Sequence, residues 1–343
     1  MDYRFLGRSG LQVSELTLGT MTFGGTGLFE KIGNTQVEEA RRLVDICLEA
    51  GLTTFDTADM YSLGLSEKTL GQAIGKERRD KVLIATKAFM RVGEGVHDVG
   101  LSRQHIIKAC DASLRRLGTD YIDLYQVHSF DSLTPLEETL QALDRLVQDG
   151  KVRYIGNSNF CAWQSMKAKA VSERLGYQQF CSQQIHYSLL CRDVEMEILP
   201  FGIDQGLGAM IWSPLSFGLL SGKYRRGNIT PPNSRAEVLE ILGVIDWERL
   251  FHIVDALEEV AKKRSKTVPQ VALNWLLRKK GVATVIIGAR TEAQLRDNLG
   301  AVGWQLSAEE VQQLDKASQT PESYPTAHQR KFAGERNPQL VTV

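Results

Sequence analysis

Along this chain, short runs dense in β-branched and apolar residues give way repeatedly to longer segments whose apolar positions recur every three or four residues. The first short runs, flanking the turn GRSG, predict a β-hairpin, and ELTLGT (15–20) predicts a strand. In TQVEEARRLVDICLEAG, residues Val37, Ala40, Leu43, Val44, Cys47 and Leu48 fall on one helical face. Thr35 with Glu38 reads as a capping box, and Gly51 as the left-handed residue beyond the helix end. Strands follow over 52–58, 81–87, 121–128, 152–159, 180–187, 207–215 and 284–290. Between and after them the helical period returns near 66–76 and over 102–118, 134–150, 161–175, 193–206, 246–264, 268–280 and 291–300. Thr134 as N-cap, Pro135 at the first helical position and Glu137 mark the start of the 134–150 helix. A closing helix over 307–319 opens with a second box, Ser307 to Glu310. The tail 320–343, with three prolines and little periodicity, reads as extended and mobile.

Eight strands follow the hairpin, each succeeded by a helix, with no Pro-, Gly- or Ser-rich linker between units. This predicts an α/β fold in one domain over 1–343: a closed (β/α)8 TIM barrel with an N-terminal β-hairpin and an extra C-terminal helix. A doubly wound open sheet would carry G-x-G-x-x-G after its first strand, whereas GGTGLFE fails at the third glycine and opens no helix. SGKY (221–224) is no phosphate loop either, because its glycine spacing is wrong and Tyr follows the Lys.

Lys and Arg together equal Asp and Glu at 41 each, so no global basic excess points to nucleic acid or an anionic membrane. Five scattered cysteines without a C-x-x-C pair argue against a disulfide framework and a metal site. The N-terminus lacks a signal-peptide core, and no apolar run approaches the ~18 residues of a membrane span. The expectation is a cytoplasmic enzyme or binding protein.

In such a barrel the site lies at the C-terminal ends of the strands. Read in order, those ends carry Asp56, Lys87, His128, Ser158 with Asn159, Trp212 with Ser213, and Arg290, with Gln183 inside the sixth strand and Tyr61 following Asp56 on its loop. Singly, each has an ordinary role as turn former, cap or satisfied polar residue. Together they place an acid, a tyrosine, a lysine and a histidine at one mouth. A phenol donates a proton best at neutral pH when its pKa is lowered, and an ammonium such as Lys87 would do that. Asp56 would hold Lys87, and His128 would orient a substrate oxygen. The chemistry implied is protonation of a developing alkoxide, as in carbonyl reduction by hydride.

FDTADMY, TK, QVH, GNSNF, WSPL and IIGAR with its following Asn occur in order along almost the whole chain, and the set resembles the aldo-keto reductases. The resemblance implies NADPH-dependent reduction of aldehydes or ketones by a tetrad of Asp56, Tyr61, Lys87 and His128, with Tyr61 as general acid. It matches Ser158, Asn159 and Gln183 to the nicotinamide carboxamide and Trp212 to the stacked ring. Ser213, Leu215, Lys223 and Arg235 match the pyrophosphate segment, and Gly288, Arg290, Gln294 and Asn298 the adenosine end, with Arg290 for the 2′-phosphate. Two positions depart from the pattern: Ser62 stands at a usual glycine, which raises the prospect of positive φ there, and Asn157 at a usual aliphatic. The similarity extends to potassium-channel β subunits, where Asn is typical at the His128 position. An NADP(H)-binding sensor or docking subunit with little turnover is therefore the second expectation.

Overall fold

The computed structural model describes residues 1–231 and 245–336. Strands β1 (Tyr3–Phe5) and β2 (Gln12–Ser14) pair antiparallel as the expected hairpin. Its Leu6 and Val13 pack with Ala85, Leu124, Met210 and Ala283, plugging the interior at the end opposite the site. The connecting turn lies so close to the N-terminal ends of two barrel strands that a Cβ on Gly7, at φ +64°, would sit 2.3 Å from the Gly206 carbonyl oxygen.

Eight parallel strands then close on themselves in chain order: β3 (Leu16–Gly19), β4 (Thr54–Asp56), β5 (Leu83–Ala88), β6 (Ile122–Val127), β7 (Val152–Ser158), β8 (Ser182–His186), β9 (Gly208–Trp212) and β10 (Val282–Ile287). β10 pairs with β3 and completes the ring. The helices α1 (Val37–Glu49), α2 (Leu65–Ile74), α3 (Arg103–Leu117), α4 (Leu136–Gln148), α5 (Ala162–Leu175), α6 (Ile198–Gln205), α7 (Trp247–Arg264), α8 (Val268–Leu277), α9 (Glu292–Leu299) and α10 (Ala308–Ala317) surround it. Their apolar stripes meet the outward residues of the strands in one continuous core, for example Leu43, Val44 and Cys47 of α1 with Phe55 of β4. Among the described residues, no helix is long and apolar enough to cross a membrane.

The Ser307–Glu310 box forms as expected. Two other expected caps do not. Thr35 makes no side-chain cap for α1, because its backbone is engaged in a bridge with Phe23 and its N–H donates to the Thr22 carbonyl. Thr134 instead donates its hydroxyl to Asp131 Oδ2 at 2.8 Å, and α4 begins beyond Pro135 without a side-chain cap. The tail is not wholly extended either: Thr326–Arg336 forms a further helix, α11, whose weak apolar pattern had hidden it.

Candidate active site

Asp56 ends β4 in register with Ala85 of β5, and Lys87 lies two residues further along β5, on the same face as Ala85. Lys87 is fully buried. Its ammonium donates to Asp56 Oδ1 at 2.5 Å, to the Thr57 carbonyl at 2.8 Å and to the Tyr61 hydroxyl at 3.4 Å. The second Asp56 oxygen accepts from Gln126 Nε2 at 3.2 Å and Gln184 Nε2 at 2.8 Å. The carboxylate is thus anchored from three strands before it meets any ligand.

Tyr61 begins a short helical turn in which Ser62 and Leu63 take positive φ, +49° and +54°. Ser62 offsets that strain with its side chain: Oγ donates to the Phe23 carbonyl and accepts from the Gly25 N–H, each at 3.0 Å. Serine therefore serves where glycine would relax the backbone but tie nothing to the β3 loop. Asn157, the other departure, donates to Ser165 Oγ at 3.2 Å and binds β7 to α5. The Tyr61 ring stands edge-on to His128 at 5.9 Å and against Phe29 at 5.5 Å.

The electrostatics correct one expectation. Burial raises the Tyr61 pKa, Lys87 opposes it and Asp56 reinforces it, with a net rise above the ordinary phenol value. The ammonium cannot prevail because burial outweighs it, and Asp56 at contact distance adds to the rise. Tyr61 is accordingly a neutral phenol at physiological pH. Burial opposes the charge on Lys87, but Asp56 and Tyr61 outweigh it and hold the amine protonated. His128 is pushed down to about 3, first by burial and then by Lys87, so its imidazole is neutral. Asp59 is also buried, and burial followed by Glu67 drives its pKa well upward.

These groups open onto a cavity of about 460 Å³ that runs from Tyr61 and His128 past Trp212 to Lys223, Arg290, Gln294 and Asn298. Ser158, Asn159, Ser213, Leu215 and Gly288 line it as well. Ser158 Oγ is buried with no partner among the described residues. Asn159, at φ +57°, donates to the His128 carbonyl at 2.9 Å and accepts from Trp212 Nε1 at 3.1 Å. Beyond β9 the chain turns through Ser213, Ser216, Phe217 and Gly218, all at positive φ. At the far end Gln294 accepts from the Arg290 N–H at 2.9 Å, and Asn298 donates to the Gly288 carbonyl at 3.2 Å. Arg235 lies outside the described residues.

Residues 15–319 match the model of the Aldo/keto reductase family. The chain belongs to that family. It is similar to the uncharacterized oxidoreductase YrpG of Bacillus subtilis (strain 168), at 39% identity over 94% of this chain and 99% of that protein. It is also similar to the versiconal hemiacetal acetate reductase of Aspergillus parasiticus, at 35% over 92% and 96%. A third relative is a probable voltage-gated potassium channel subunit beta of Oryza sativa subsp. japonica, at 37% over 88% and 91%.

In this aldo/keto reductase one expected cofactor residue points the wrong way. Gln183 turns outward and donates to the Ile198 carbonyl at 2.9 Å, while its neighbour Gln184 faces Asp56 and lines the cavity. Period-two alternation along β8 puts Ser182, Gln184 and His186 on one face and Gln183 on the other, a register that consecutive glutamines conceal. Met21, Phe29, Met60 and Met90 give the mouth its apolar lining. Phe23 is buried in the core, Phe130 packs on Phe160 and Trp163, and Tyr324 is 85% exposed.

Proposed function

We propose that this chain is an NADPH-dependent reductase of aldehydes and ketones, with Tyr61 as proton donor and Asp56, Lys87 and His128 as its support. The observation that carries the reading is one cavity with a neutral phenol hydrogen-bonded to a buried ammonium at one end and two cationic side chains at the other. The walls suit the cofactor. Ser158 offers an orphaned hydroxyl, Trp212 a flat face, and Gly288 bare backbone, since a Cβ there would meet nothing within 4 Å. Ser158 and Asn159 would hold the carboxamide beside Trp212, Ser213, Leu215 and Lys223 the pyrophosphate, and Gly288, Arg290, Gln294 and Asn298 the adenosine end.

NADPH, when bound, supplies the hydride. Tyr61 gives its proton to the carbonyl oxygen as negative charge develops there, and Lys87 at 3.4 Å stabilises the phenolate left behind. Asp56, fixed by Gln126 and Gln184, keeps that ammonium in place. His128, being neutral, offers the substrate oxygen a hydrogen bond without setting a second cation beside Lys87. A sensor or docking subunit is not favoured, because an oxidoreductase and a named reductase stand among the relatives.

The test is fluorescence titration with NADPH and NADH, followed by cofactor oxidation on adding a panel of activated aldehydes and ketones. Tighter NADPH binding with turnover supports the reading. Tight binding with no turnover across the panel would overturn it in favour of a docking role.

A further inference from the structure

His186 was not among the residues singled out in the sequence, yet it sits directly behind Trp212. It ends β8 as Trp212 ends β9, and the two are register partners, so both side chains leave neighbouring strands on the same face. Their rings stack with centroids 4.3 Å apart and planes inclined by 17°. Phe217 meets both edge-on, at 6.1 Å from His186 and 6.3 Å from Trp212. The indole edge is tied by Nε1 to Asn159 at 3.1 Å, and the side chain lines the cavity. Trp212 is therefore fixed at one edge and backed on one face, with His186 as the backing.

We propose that His186 is a positioning residue for the cofactor, its imidazole setting the plane of Trp212 on which the nicotinamide stacks. This rests on the cofactor assignment made above. The His186 ring meets Trp212 through its face, and its Nε2 is buried with no hydrogen-bond partner among the described residues. Burial lowers the His186 pKa, with Asp193 acting in the opposite direction. A neutral ring behind the indole places no positive charge under a platform that must also accept the cationic, oxidised nicotinamide.

Two variants separate ring stacking from simple space filling. His186→Leu removes the aromatic face, and His186→Phe retains it without the nitrogens. Each is titrated with NADPH and with 2′-phospho-ADP-ribose, which lacks nicotinamide. An aromatic pair of ordinary strength gives an NADPH Kd raised about two- to ten-fold in His186→Leu. The Kd for 2′-phospho-ADP-ribose stays unchanged, His186→Phe restores NADPH binding, and KM for NADPH moves more than kcat. Equal weakening of both ligands, or an unchanged NADPH Kd in His186→Leu, would overturn the proposal alone. If the wild type binds NADPH no more tightly than 2′-phospho-ADP-ribose, the nicotinamide assignment itself falls.

Discussion

Replacing Lys87 by methionine keeps an unbranched stem of similar length and deletes the ammonium. Asp56 is only 2% exposed, so water replaces the lost cation poorly, although the donors from Gln126 and Gln184 remain. Breaking a buried ion pair by removing one partner costs about 3–5 kcal/mol. Chemistry also sets a ceiling, because the folded variant can escape by binding a proton. Protonating an ordinary aspartate costs about 4 kcal/mol at pH 7 and about 1.5 kcal/mol at pH 5. Lys87→Met should therefore lose about 3–4 kcal/mol at pH 7 but no more than about 1.5 kcal/mol at pH 5. The sign follows from linkage: the folded variant holds a proton that its unfolded chain releases near pH 4, so it loses ground as pH rises. Urea unfolding at both pH values, on wild type, Lys87→Met, Asp56→Asn and the double variant, measures this. Asp56→Asn should return about 2 kcal/mol to Lys87→Met at pH 7, since no unpaired charge then stays buried. A loss that is equal at the two pH values, or a double variant as unstable as Lys87→Met, would refute the reasoning.

The two adjacent glutamines should separate cleanly. Gln184→Met loosens Asp56 and should lower kcat by about ten-fold or more, whereas Gln183→Met should leave turnover unchanged and cost about 1 kcal/mol by removing its hydrogen bond to the Ile198 carbonyl. Steady-state kinetics and urea unfolding on both variants decide the matter. At Ser62, alanine keeps the positive φ and loses both hydrogen bonds, while glycine loses the bonds but relieves the strain. Ser62→Ala should thus be less stable than Ser62→Gly by about 1 kcal/mol, and the reverse order in thermal or urea unfolding would contradict the compensation.

The barrel was legible because hydrophobic period records burial directly: strands shielded on both sides and one-sided helices leave different patterns, and eight alternations admit few closures. Strand-end polar residues such as Asp56, Lys87 and His128 stood out because a buried parallel strand otherwise has little use for them. What escaped depended on partners distant in sequence. Thr35 and Thr134 carried the right residues for caps, but Thr22 and Asp131 claimed their hydrogen bonds. Gln183 and Gln184 differ only in which face of β8 they occupy, and a one-residue slip exchanges them. The raised Tyr61 pKa is likewise a property of packing, since proximity to Lys87 alone argued for the opposite direction. His186 beside Trp212 needed the register of two strands separated by a helix.

The central claim is that Tyr61 delivers the proton. Tyr61→Phe deletes one oxygen and keeps the ring that meets Phe29 and His128. In single-turnover mixing with saturating NADPH and a reactive aldehyde, the account predicts cofactor affinity close to wild type and a hydride-transfer rate lower by about 100-fold or more. A Tyr61→Phe rate within a few-fold of wild type, with the aldehyde still reduced, would contradict it.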